Sequence, residues 1–308
     1  MTGGPGGGGA PDGRDRPRRR EDVADTGRGL AATVAGLADQ TGVVWGVCVR
    51  DVGTRRVLAS LHPDRKLPIA SVGKLLLLVE VATRIADGTL DPAHRLRRRA
   101  ELAVGDSGLW QHLTTDALPV GDLAVLVAAV SDNLATNLLL DHVGLDAVQQ
   151  RGETLGLSAT RLLDRVRDQR DGHPGRDVSP TLARGAAGEL CELLARLACG
   201  TAVAPEPDTM VLDWLGLGVD LSMVGAALGL DPLTHRTTGN GWSLHAKTGS
   251  DPGIRADVGL VGQGRRQLAY AAIACWNPGD GLPRDAVLEH MARLGGALRA
   301  TLEIEAGH

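Results

Sequence analysis

Residues 70–82 read ASVGKLLLLVEVA, and this stretch decides how the chain is organised. The run from Leu75 onward is apolar for longer than a surface helix would tolerate, so it reads as a buried helix. The polar segment His62–Pro68 before it ends in a proline, which marks the approach to a helix start. On a helix, positions three apart share a face, so Ser71 and Lys74 point the same way from the first turn. By itself the stretch reads as an N-cap serine followed by a surface lysine. The rest of the chain decides whether it is more than that.

Outward from this helix, the two ends of the chain carry strand character and the middle carries helices. Upstream, Gly29–Asp39 reads as an amphipathic helix, and Val43–Arg50 and Arg56–Leu61 read as a hairpin turning at Asp51–Thr54. Downstream, helical patterns recur at Leu75–Asp87, Val120–Val130, Leu134–His142, Asp146–Leu155, Thr181–Leu197 and Met210–Leu215, with a polar irregular loop at Arg161–Ser179. Strands return at Trp242–Lys247, Ala256–Val261 and Gln267–Trp276, and Ala286–Glu303 closes the chain as a helix. The order predicts an α/β protein of the α+β type. An antiparallel five-stranded sheet is built from both chain ends, with flanking helices and an all-α lobe inserted over about 72–230. Residues 1–26 are rich in Gly, Pro and Arg and are expected to be a disordered tail, leaving 27–308 as a single catalytic domain.

Composition narrows the function. With 33 basic against 37 acidic residues the net charge is −4, too small a field to suggest a nucleic acid or a membrane surface as partner. Phenylalanine is absent and tyrosine occurs once, which removes the usual platforms for stacking bases. Cys48, Cys191, Cys199 and Cys275 form no CxxC pair and lie at no zinc spacing with histidine, so they read as reduced and no metal or other cofactor is expected. The charged N-terminus is followed by no apolar segment of the secretory type, and no run of about 20 apolar residues occurs, so the sequence predicts a cytoplasmic monomer.

Three polar clusters stand at element boundaries in a fixed order: Ser71-Val72-Gly73-Lys74, Ser131-Asp132-Asn133 and Lys247-Thr248-Gly249. Singly, each is an ordinary cap or turn. Together they resemble the SxxK, SDN and KTG motifs of the penicilloyl serine transferase superfamily, which contains the class A β-lactamases and their low-molecular-weight penicillin-binding relatives. The resemblance runs from about Leu30 to Leu302. Thr160-Arg161-Leu162-Leu163-Asp164-Arg165 looks like the family's entry into the omega loop with one extra leucine, and Val211–Leu215 looks like its helix before the KTG strand.

The chemistry explains why these residue types are needed. A serine hydroxyl must lose its proton to a base before it can attack, and Lys74 can take it if burial and a second cation, Lys247, lower its pKa. Ser131 can relay a proton to the leaving nitrogen, and Asn133 can orient Lys74 and a substrate carbonyl. Lys247 and Thr248 suit a substrate carboxylate. By resemblance, the oxyanion donors are the backbone N–H groups of Ser71 and of Ser250, next to Gly249. Asp132 reads as structural. The resemblance also offers Arg255 as a carboxylate ligand, against the plain reading of a surface strand residue, and Trp110 as an aromatic gate, against that of a half-buried packing residue.

The pattern breaks in the omega loop. The family places its deacylation glutamate two residues after the loop's arginine, and here that position is Arg167, which cannot act as a base. No glutamate occurs between Glu153 and Glu189, so Asp168 is the substitute at hand if the loop shifts. The leading expectation is a β-lactamase-type serine hydrolase that forms an acyl-enzyme at Ser71 on a small-molecule β-lactam or related amide or ester and deacylates slowly. The alternatives are a cytoplasmic acyltransferase, peptidase or esterase of the same fold, and a β-lactam-binding module that acylates once and holds.

Overall fold

The computed structural model describes residues 29–168, 179–234, 241–279 and 283–306. The expected tail 1–26 and much of the expected loop Arg161–Ser179 lie outside them.

The chain ends build one antiparallel sheet in the order β2-β1-β10-β9-β8. Its strands are β1 (Val43–Asp51), β2 (Val57–Leu61), β8 (Trp242–Asp251), β9 (Ile254–Gln263) and β10 (Arg266–Trp276). The short strands β3 (Leu67–Pro68), β4 (Arg95–Arg97), β5 (Ala117–Pro119), β6 (Arg161–Leu162) and β7 (Ala183–Gly185) form two small sheets, one with the order β3-β7-β6 and the other pairing β4 with β5. Helix α1 covers 29–36. The inserted lobe carries α2 (Lys74–Ala86), α3 (Val120–Val130), α4 (Asn133–Val143), α5 (Leu145–Thr154), α6 (Ala187–Ala198) and α7 (Pro205–Leu215), and α8 (Pro283–Ala306) ends the chain.

The sheet is apolar on both faces because helices cover both. Along β10, Ala269, Ala271 and Ile273 face the lobe, and Leu268, Tyr270, Ala272 and Ala274 face α1 and α8, the period-two alternation of a strand. Helix α2 is buried on all sides through Leu75, Leu76, Leu77, Leu78 and Val79, as a central helix must be. Its one buried acid, Glu80, accepts from Arg84 Nε at 2.6 Å and from Arg151 Nε of α5 at 2.8 Å, which fixes how the two helices meet. Among the described residues no helix is long and apolar enough to cross a membrane.

Two local expectations are corrected. The helix read from Thr181 begins only at Ala187, because Ala183–Gly185 pairs as a strand with both β3 and β6. A side chain at Gly185 would press on Ile69 at 3.0 Å and on Thr160 at 3.1 Å, so the segment lies too close to its neighbours to coil. Ser71 also precedes the α-helix. It sits on a 3-10 turn, Ala70–Gly73, that feeds α2 at Lys74. Gly73 permits this approach, since a Cβ there would lie 2.2 Å from that of Ala183.

Candidate active site

Four segments meet at one end of the sheet. The 3-10 turn presents Ser71, half-buried, directly after Ala70, which holds φ at 45°. Strand β8 passes so close to that turn that a Cβ on Gly249 would stand 2.4 Å from Ile69 O and 3.0 Å from Ser71 N. Only glycine lets the strand reach the serine. Ser131 caps the C-terminal end of α3 in the left-handed conformation (φ 56°, ψ 34°) and is followed at once by the N-cap of α4, Asp132. One Asp132 oxygen accepts from Ala135 N at 2.9 Å, and the other accepts from Leu109 N and Trp110 N, both at 2.8 Å. Asp132 is thus the pin between α4 and the loop over it, the structural part expected of it. Gly108 lies against it with φ +123°, and a Cβ there would be 2.5 Å from the carboxylate.

These caps bring two buried lysines to one hydroxyl. Lys74 Nζ donates to Ser131 O at 2.6 Å, to Asn133 Oδ1 at 2.8 Å and to Ser131 Oγ at 3.2 Å. Lys247 Nζ donates to the same Oγ at 3.1 Å and to Thr248 O at 2.9 Å. Their exposures are 0% and 2%, so neither ammonium is solvated. Burial, and then the charge of Lys247, pushes the pKa of Lys74 well down. Burial lowers Lys247 from 10.5 to about 8, with Asp220 and Asp257 offsetting part of the effect. Burial thus disfavours the charged form of both lysines, and the Ser131 hydroxyl lies within hydrogen-bond reach of both amines.

Ser71, Ser131, Asn133, Thr248 and Ser250 line a common cleft of about 620 Å³, whose lining also includes Arg167 and Asp168. Two of the expected residues, Trp110 and Arg255, fall elsewhere. Trp110 is fully buried, with Nε1 donating to Thr115 O at 3.1 Å, so it packs the lobe and is no gate. Arg255 turns along the sheet edge. Its guanidinium donates to Asp251 O and Ile254 O at 3.0 and 2.7 Å, lies 5.9 Å from the Trp276 ring, and lines a neighbouring depression. Arg167 folds back on Asp164 through two hydrogen bonds of 2.6 and 3.0 Å, which hold it charged. Asp168 Oδ1 accepts from Gly105 N at 3.0 Å.

Other residues at the cleft went unread. Asp106 and Asp220 join its wall from two loops and Asp251 from the end of β8, and no spacing in the sequence links them. Asn137 carried a signal, since it lies four residues after Asn133 on one helix face. It ties the omega segment down by accepting from Val166 N at 2.8 Å and donating to Val166 O and Leu102 O at 3.0 and 3.1 Å.

Among known proteins, the family model described as "Beta-lactamase enzyme family" matches residues 29–300. A β-lactamase from Sphaerobacter thermophilus is similar at 27% identity, over 89% of this chain and 96% of that one, with a TM-score of 0.75. An ancestral class A β-lactamase is 24% identical over 90% and 99%, with a TM-score of 0.73. A single-site mutant of PBP-A, solved as an acyl-enzyme complex with penicillin G, is 19% identical over 91% and 97%, with a TM-score of 0.71.

Proposed function

The chain belongs to the β-lactamase enzyme family, and from that premise we propose that it is a serine hydrolase that opens β-lactams or related amides through an acyl-enzyme on Ser71. The observation that carries this reading is the Ser131 hydroxyl held between Lys74 and Lys247 beside Ser71. Neutral Lys74 takes the Ser71 proton as Oγ attacks the carbonyl carbon. The C–N bond then breaks, and its nitrogen receives a proton through Ser131. An ester remains on Ser71. Lys247 and Thr248 hold an anionic group of the substrate, Asn133 has one amide N–H left for a substrate carbonyl, and the N–H groups of Ser71 and Ser250 stabilise the oxyanion. The enzyme works as a cytoplasmic monomer on a small molecule and needs no cofactor.

Water attack on the ester is slow in this reading. Arg167 stands where the family has its base, and it is engaged with Asp164. The PBP-A mutant forms an acyl-enzyme complex with penicillin G, and an adduct of that kind is expected here. The same Arg167–Asp164 pair favours the second reading, a module that acylates once and holds. The test is a chromogenic cephalosporin followed by colour and by intact protein mass. A burst of one equivalent with a mass adduct, absent in Ser71→Ala, supports acylation at Ser71. A slow steady phase after the burst supports the hydrolase, and a burst with no turnover supports the holding module. Labelling that survives Ser71→Ala refutes both.

A further inference from the structure

A chain of three hydrogen bonds runs from the cleft wall at Asp168 to the buried Lys74. Asp168 Oδ1 accepts from Gly105 N at 3.0 Å, Gly105 O accepts from Asn133 Nδ2 at 3.0 Å, and Asn133 Oδ1 accepts from Lys74 Nζ at 2.8 Å. We propose that Asp168 is a positioning residue, one that aims the Lys74 amine by fixing the Gly105 backbone on which Asn133 is hung.

Each link has a physical reason. The two shortest bonds of Lys74 Nζ run to Ser131 O at 2.6 Å and to Asn133 Oδ1 at 2.8 Å. These two fixed acceptors hold the amine in place and so set which way its remaining position faces. Asn133 can serve as a fixed acceptor only while its other end is held, and Gly105 O holds it. Gly105 is exposed and is followed by Asp106 at φ 70°, so the loop turns sharply just after it. Two restraints join this loop to the omega segment. Asn137 clamps Leu102 to Val166, and Asp168 grips Gly105 itself. The second acts on the very residue that carries Asn133. Asp168 also faces the cleft, but its Oδ1 is committed to the loop, which sets this role against that of a base for water.

Two substitutions separate the roles. In Asp168→Asn the side-chain oxygen still accepts from Gly105 N but can no longer act as a carboxylate base. In Asp168→Ala both capacities are lost. Positioning predicts that Asp168→Ala slows the acylation burst roughly tenfold, the scale of one hydrogen bond to a charged group. It also predicts that Asp168→Asn recovers the rate to within about threefold of wild type on the same scale. Hydrogen exchange at the Gly105 amide should lose protection in the alanine variant and keep it in the asparagine variant. An unchanged burst in both variants with a trapped ester would overturn the proposal in favour of a base. Equal Gly105 exchange in wild type and Asp168→Ala would overturn the tether. The effect on Lys74 rests on the acylation reading. A wild-type protein that forms no adduct would refute that reading, and the exchange comparison would still decide the tether.

Discussion

At the scale of single residues, Lys247 makes opposite demands on pH for stability and for rate. Lys247 releases its proton near pH 8 in the folded protein and near 10.5 when unfolded. Between those values the unfolded chain binds more protons, so this group's contribution to stability rises with pH across that window and is constant below it. The acylation rate should move the other way, falling with an apparent pKa near 8 as the ammonium beside Ser131 is lost. Burst rates and melting temperatures measured from pH 7 to about 10 test this. A rate that falls only when the protein melts would refute it. Arg167→Glu carries the second residue-scale prediction. It removes the Arg167–Asp164 pair and puts a carboxylate in the cleft wall, so the slow phase of turnover should quicken, by as much as the 10² to 10⁴ typical of a general base, while the burst is unchanged. Stopped-flow with the chromogenic cephalosporin reads both phases.

At the scale of elements, the site depends on how closely backbones approach. Gly249→Ala should force β8 away from the Ala70–Gly73 turn, at a cost of about 1–3 kcal/mol for overpacking. Calorimetry should show the lower melting temperature, and the burst should be lost because the strand carrying Thr248 and Ser250 moves off Ser71. The motifs themselves were legible because each is short and ends an element: Ser71 and Lys74 before a run of leucines, Ser131–Asn133 between two apolar helices, Lys247–Gly249 in a strand. What escaped was set by distant partners. Trp110 reads equally as an aromatic gate or a half-buried packing residue until Asp132, 22 residues on, takes its backbone N–H. Arg255 reads equally as a ligand or a surface strand residue until the hairpin it closes turns its guanidinium onto the carbonyls of Asp251 and Ile254. The late start of α6 follows from pairing of β7 with β3, more than a hundred residues upstream.

At the scale of the molecule, the described core is complete from α1 onward, since Leu30, Val34 and Leu37 fill the face between the sheet and α8. Residues 1–26 contain almost no apolar side chains to add to it. Removing them should leave the melting temperature and the burst unchanged, and a fall of several degrees in a thermal scan would contradict this. The sheet has a further consequence for how the protein is made. Strand β1 pairs with β10, and Asp51 and Arg266, joined across that ladder, are 215 positions apart. On a ribosome adding about 5–20 residues each second, the β1–β2 hairpin therefore leaves the exit tunnel roughly 10–40 s before its neighbour exists. For that interval Trp45, Val47 and Val49 lie open on a bare strand edge while the helical lobe is already folding. The apolar face of β1 has its cover only once the last third of the chain is made.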